Sequence, residues 1–235
     1  MQLERILQKH GFGTRKGCRS LIRHERVAIG GQICDDPFAD IATEGLVLTV
    51  DGVDWPFLEH ASLLLHKPAG YECSRKPQHH PSVLELLPLP LRERGVQPVG
   101  RLDEDTTGLL LITDDGQLNH VLTSARRKVP KVYLATTRHP LDADQIAQLL
   151  AGVELHDDPE PVAAAGAEIV EPQLLRLTIT EGKYHQVKRM VAAVGNRVEA
   201  LHRERIGELG LPADLKPGEW RWLSTVDLQQ LGYLP

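Results

Sequence analysis

Cysteine is scarce: the 235-residue chain has three, Cys18, Cys34 and Cys73, and no two form a CxxC pair. That spacing offers neither a disulfide framework nor a thiolate zinc site, and it fits a reducing compartment. No run of about 18 apolar residues is present. The opening stretch MQLERILQKHG is charged, so it reads as neither a secretory leader nor a membrane span. The expected setting is the cytoplasm. Aromatic residues make up 4% of the chain, which leaves few side chains able to stack on a base. There is no GxGxxG and no P-loop, so nothing marks a dinucleotide or triphosphate site. Internal repeats and low-complexity tracts are also missing. What is there, 41% hydrophobic and 25% charged residues, is the composition of an ordinary globular protein of one large or two modest domains.

The net charge of −5 argues at first against a polyanionic partner, but the charge is unevenly spread. Residues 1–26 carry seven Lys/Arg against Glu4 and Glu25, and RRKVPK (126–131) has four basic residues and no acid. Residues 139–172 hold eight acids and no Lys or Arg. A binding polyanion feels the field within about 8–10 Å, not the molecular average. Any one of these clusters could be a solvated face. Together they favour a polyanion.

Leu3, Ile6, Leu7 and His10 fall at helical spacing before GFG (11–13). Thr14 is suited to cap a second helix running to about Arg26, with Arg15, Arg19, Arg23 and Arg26 in one arc. VAIGGQIC (27–34) predicts a hairpin, GLVLTV (45–50) a strand, and DGVDWPFLEHAS (51–62) a link to a second domain. Further strands are expected at LLLIT (109–113), KVYLATT (131–137), LLRLTIT (174–180) and PGEWRWLS (217–224). Helices are expected at 117–124, capped by Asp114 or Asp115, and at 142–152 and 184–195. Strands and helices do not alternate regularly, so the fold class is α+β with a mixed, mainly antiparallel sheet.

Two stretches carry chemistry. VGRLDEDTTGLLLITDDG (99–116) surrounds a greasy strand with Asp103, Glu104, Asp105, Asp114 and Asp115. Asp103 and Asp105 could ligate a hard cation, but a calcium-loop register fails, with Thr107 at the fifth position and Asp114 at the twelfth. A glycosidase would need a second working carboxylate about 5–9 Å away, which sequence does not place. The bland alternative is a polar turn. In EGKYHQVKRM (181–190), basic residues open a helix. The macrodipole disfavours cations there, so a phosphate or a carboxylate is expected to face them, unless the helix simply shows a basic face to water.

With KVY (131–133) and HRERIGELGLPADLKPGEWRWL (202–223), these two motifs resemble, in order and nearly end to end, the RsuA-type pseudouridine synthases. Residues 1–60 resemble the small RNA-binding domain these enzymes share with a small-subunit ribosomal protein, an S-four-like domain. The resemblance therefore implies an RNA-binding domain at 1–60 and a catalytic domain at 61–235. It implies Asp103 as the catalytic carboxylate, with Tyr133 and Lys188 as its catalytic partners. Asp105, Asp114 and Asp115 then become structural. Three departures from the family pattern, His66 before KPAG, Lys183 after Gly182 and SAR at 124–126, bear on substrate detail.

The implied reaction detaches uracil from its ribose and reattaches it through carbon five, which requires no cofactor and no metal. An ionised carboxylate serves it as nucleophile or as base. A cation lowers a carboxyl pKa that burial would raise, and Lys188 is the expected counter-charge, with Arg189 the fallback. The target base must flip out, and Tyr133 is the expected stacking face. Arg101 would grip a phosphate or fill the gap left by the base. Expected RNA contacts are Arg15, Lys16, Arg19, Arg23, Arg26, Arg126, Arg127, Lys183, His185, Gln186 and Arg189. The expected partner is ribosomal RNA or a small-subunit assembly intermediate, met by a monomer with no membrane association. GKYHQVKRMVAAVGNRVEALHRERIG looks most like the subgroup that modifies uridine 516 of 16S rRNA. Alternatives are a large-subunit rRNA enzyme, a non-catalytic ribosome-assembly protein, and a metal-dependent RNA hydrolase resting on Asp103 and Asp105 alone.

Overall fold

A computed structural model describes residues 1–156 and 158–233. The chain divides into two compact units, Met1–Ala61 with Leu87–Gln97, and Ser62–Leu86 with Pro98 onward. The sequence boundary at residues 60 and 61 thus gains a second crossing, because 87–97 returns to the first unit.

In the first unit, α1 (Leu3–Lys9) and α2 (Arg15–Arg23) pack through Leu3, Ile6, Leu7, Cys18 and Ile22, all fully buried. The Thr14 hydroxyl accepts from the Gly17 N–H at 3.2 Å, the expected cap. α2 stops three residues short of Arg26 because Glu25 takes a left-handed conformation (φ 57°) and the Arg26 N–H closes back on Leu21. Strands β1 (Val27–Ile29), β2 (Gln32–Ile33), β3 (Val47–Val50) and β4 (Val53–Pro56) form a sheet in the order β2-β1-β3-β4. β4 corrects the reading of 51–62 as a link. Asp51 and Gly52, both at positive φ, make a two-residue hairpin that pairs Val50 with Val53, and Asp-Gly is a favoured sequence for such a turn.

The second unit begins with β5 (Ser62–Lys67) and a short 3₁₀ turn at Val83–Leu86. Helix α3 (Leu89–Arg94) belongs to the first unit. There the Arg94 guanidinium donates to the carbonyls of Leu58 and Glu59, and a Cβ on Gly11 would lie 2.0 Å from the Pro90 carbonyl oxygen. The chain then runs through β6 (Gln97–Pro98), β7 (Thr107–Thr113), α4 (Gly116–Thr123), β8 (Lys131–Thr137) and α5 (Ala143–Ala151). After them come β9 (Gly166–Glu171), β10 (Leu174–Ile179), α6 (Gln186–Ala193), β11 (Val198–Ile206), β12 (Leu209–Gly210), β13 (Trp220–Trp222) and α7 (Thr225–Gln230). The main path of the sheet is β13-β5-β7-β11-β8-β10-β9, with β6 on β7 and β12 on β11. β7 and β11 run parallel, whereas the pairs along the rest of that path are antiparallel. The mixed α+β reading therefore stands.

β7 is an interior strand of the sheet: every residue from Gly108 to Thr113 is buried, as expected for a strand covered on both faces. Leu109 and Leu111 share a core with Leu64, Leu118, Leu122 and Ile206. Asp115, not Asp114, caps α4, with Oδ1 accepting from Gln117 and Leu118 N–H and Oδ2 from the Tyr233 hydroxyl. No described helix is long and apolar enough to cross a membrane.

The parallel crossing depends on Gly108. Its φ is +106°, and a Cβ there would lie 2.3 Å from the Arg203 carbonyl oxygen on β11. Gly108→Ala should therefore cost on the order of 3 kcal/mol or more, from backbone strain and forced separation of the strands. A urea unfolding midpoint within error of wild type would show that the crossing has slack.

Candidate active site

Asp103 sits on the loop that turns into β7. Behind it, the fully buried Lys67 at the end of β5 donates to three carbonyls, those of Pro68 (3.0 Å), Glu104 (3.0 Å) and Thr106 (2.8 Å). Three carbonyls match the three donors of an ammonium, so the charged form is the one the loop is built around. Burial pushes the Lys67 pKa down. The loop is further pinned by Gly70 N–H on Glu104 O and by Leu102 N–H on the Cys73 sulfur.

Helix α6 brings the cations to this loop. Lys188 Nζ lies 2.7 and 2.9 Å from the two Asp105 oxygens and 3.2 Å from Asp103 Oδ2. Nε2 of His185 lies 3.3 Å from Asp103 Oδ1. α6 starts two residues later than the pattern predicts, because His185 at its N-terminus is left-handed (φ 48°, ψ 32°) and its side chain makes no capping hydrogen bond. That conformation costs a non-glycine residue about 1–2 kcal/mol, and it accompanies an imidazole aimed at the carboxylate. Burial opposes both partners of the Lys188–Asp105 pair, but their hydrogen bonding outweighs it, raising the lysine pKa and lowering the aspartate's. The ammonium occupies the space between the two carboxylates where a cation site would need room, so this pair is bridged by the protein's own charge.

The basic residues of EGKYHQVKRM divide into two sets. Asp158 receives Lys183 at 2.6 Å and Arg189 at 3.4 Å. The Gln186 side chain is buried, its carbonyl accepting from the Lys183 N–H. Of the expected contacts there, Lys183, Gln186 and Arg189 thus build the loop from within, while His185 and Lys188 face Asp103. Asp158 lies in the acidic stretch that sequence treats only as a field.

Arg101, Asp103, Asp105, Tyr184, His185 and Lys188 line one cleft of about 530 Å³ with residues of the 72–79 segment. That segment is tied by Glu72, whose carboxylate accepts the N–H groups of Gln78, His79 and His80 at 2.8–3.1 Å. These hydrogen bonds hold its pKa low. Lys76 and His79 thereby stand at the rim. Tyr133 is not among the lining residues: its ring is 8% exposed, and its hydroxyl accepts from Arg203 at 3.3 Å. Arg203 is itself buried and also donates to the Leu109 carbonyl. Arg126 and Arg127 are exposed beyond α4, away from the cleft lining.

On the first unit, Arg19 pairs with the buried Glu4, and Arg26 makes a two-pronged contact with Asp51 at 2.6 Å. Arg15, Lys16 and Arg23 remain exposed. Two arginines of the row are therefore ion-paired within the protein, and Arg15 also donates to the Gln8 side chain at 3.3 Å. Sequence did not mark Lys67, Glu72, Asp158 or Arg203. Only the lysine of HKPAG carried a local signal, a charged residue closing an apolar strand.

The family model for RNA pseudouridylate synthases matches residues 61–193, the part that builds this cleft. The chain belongs to that family. It is 41% identical over 232 residues to the Yersinia pestis protein named ribosomal small subunit pseudouridine synthase A, covering 99% of this chain and 98% of that one. It is 41% identical to the protein of the same name from Escherichia coli K12, over 97% of this chain and 98% of that protein. A solved structure described as a pseudouridylate synthase superposes with a TM-score of 0.70 at 35% identity, over 98% of this chain and 99% of that one. As a pseudouridine synthase, the enzyme is an isomerase.

Because Asp105 is held below its usual range by Lys188, the pair stabilises the enzyme above about pH 4. That contribution is lost as pH falls through the lowered pKa. Lys188→Met should flatten this limb: thermal melts between about pH 5 and pH 2 should fall less steeply than in wild type. An unchanged slope would mean that the pair contributes nothing to the folded state.

Proposed function

We propose that the enzyme converts one uridine of small-subunit ribosomal RNA, uridine 516 of 16S rRNA, to pseudouridine, with Asp103 as the catalytic carboxylate. The observation that carries this reading is Asp103 at an open cleft with Lys188 on one oxygen and His185 near the other. End-to-end similarity to the enzymes named for the small subunit supports the choice of RNA.

In the reaction the N1–C1′ bond breaks and the uracil turns within the cleft. A C5–C1′ bond forms, carbon five gives up its proton, and N1 gains one. Asp103 either attacks the sugar or removes its 2′ proton, and both roles use the carboxylate. Lys188 sets its ammonium 3.2 Å from that carboxylate, beside a departing anionic base. His185 orients the other oxygen. Tyr133, anchored by Arg203 and outside the cleft lining, supports the site from within, and Arg101 holds a phosphate at the cleft mouth. Arg126 and Arg127 extend the contact along the RNA. The S-four-like first unit supplies affinity through Arg15, Lys16 and Arg23, and the substrate is rRNA or an assembly intermediate met by a monomer in the cytoplasm.

Tritium release from small-subunit rRNA labelled at uracil carbon five tests the reaction. Wild type should release it, and Asp103→Asn should be about 100-fold slower or worse while binding RNA nearly as well. Release only from large-subunit rRNA would overturn the target. Tight binding with no release from either RNA would point to an assembly protein. Reversing Arg15, Lys16 and Arg23 to Glu should weaken RNA binding and reduce the salt slope by about one per lost contact. A slope unchanged in that triple variant would remove the first unit from the RNA interface.

A further inference from the structure

We infer that Tyr184 is a stacking platform for a nucleotide beside the target uridine, a role that rests on the reading of this cleft as an RNA site. Tyr184 is 70% exposed, the most open of the large apolar side chains among the described residues, yet its ring is not loose. One face lies on the His185 imidazole at 3.8 Å between centroids and 19° between planes. The backbone beneath it is fixed by the Arg189 guanidinium on the Tyr184 carbonyl, and by Asp158, which ties Arg189 to Lys183. A ring held flat with one face covered and the other open is preorganised for a planar ligand, and little side-chain freedom remains to be lost.

The surroundings identify that ligand as a nucleotide. Arg101, Lys76 and His79 line the same cleft, beside Glu72, Glu104 and the Asp103 and Asp105 carboxylates that Lys188 bridges, and cations next to an aromatic face are how single-stranded nucleic acid is held. Geometry then decides which nucleotide. The imidazole of His185 is the group that reaches Asp103. A base on the open face of Tyr184 lies one ring further out, on the far side of the tyrosine from His185. It is therefore a neighbour of the uridine over Asp103, not the reacting base. Tyr133, largely buried against Arg203, offers no such open face. Stacking tolerates any base, so this contact fixes the register of the strand more than its sequence.

The test uses rRNA fragments spanning the target, with 2-aminopurine on one side or the other of the uridine, and the full-length enzyme as wild type, Tyr184→Phe and Tyr184→Leu. Wild type and the Phe variant should quench the probe at one of the two positions, and the Leu variant should not. In tritium release, Tyr184→Leu should raise KM about 5- to 150-fold, with kcat within about twofold, and Tyr184→Phe should match wild type. Equal quenching by wild type and Tyr184→Leu would overturn the inference. So would a fall in kcat at unchanged KM, which would make the ring a brace for His185. Quenching that depends on Tyr184 in a fragment wild type never turns over would keep the platform and remove the substrate reading instead.

Discussion

The loop that carries Asp103 depends on one buried charge. Lys67 spends all three of its donors on backbone carbonyls at 68, 104 and 106, so the ammonium acts as a knot tying the end of β5 to the turn before β7. An unpaired charge this deep would be costly. It is tolerated because three carbonyl dipoles replace its water and because Asp103, Glu104 and Asp105 add a favourable field. The position of the Asp103 carboxylate is thus set from behind by a group that never meets solvent. The face it presents is set from the front by Lys188 and His185.

The cations of α6 illustrate how far a charge cluster can be read from sequence. KYHQVKR looks like a uniform basic surface, yet its charges point in two directions. Lys183 and Arg189 turn inward to Asp158, and Lys188 turns to Asp103 and Asp105. The acidic stretch that seemed segregated from the basic one supplies the anchor. Local composition records the sign of the charges but not their partners, and a partner about 25 residues away decides whether a cation is free for a ligand. The same holds for Arg19 and Arg26, whose acids lie on other elements of the first unit.

Elements with a strong local pattern were legible. The capped helices α2, α4 and α5 and the apolar runs of β7, β8 and β10 lie where their residues predict. β4 was missed although Asp51-Gly52 is a hairpin signal, because Trp55-Pro56 and the polar residues around it resemble a link. β11 was missed as a strand because the run Arg203-Glu204-Arg205 sits in it and Arg203 is satisfied only by tertiary partners, and β9 because GAEIVE is acidic and mostly exposed. At the site, Asp103 and Lys188 were legible through their motifs. The buried position of Tyr133 and the roles of Glu72 and Asp158 arise from contacts that no spacing rule encodes.

The parallel crossing of β7 and β11 also sets an order of assembly. β7 finds β5 within about forty residues, but its other neighbour lies some ninety residues downstream, and β5 itself is completed on its outer edge by β13. Long-range pairings of this kind close late. As the chain leaves the ribosome, Lys67 and the Asp103 loop are available well before α6 delivers Lys188 and His185. The carboxylate therefore exists for a time without its cations, and the lining of the cleft is complete only once α6 has formed.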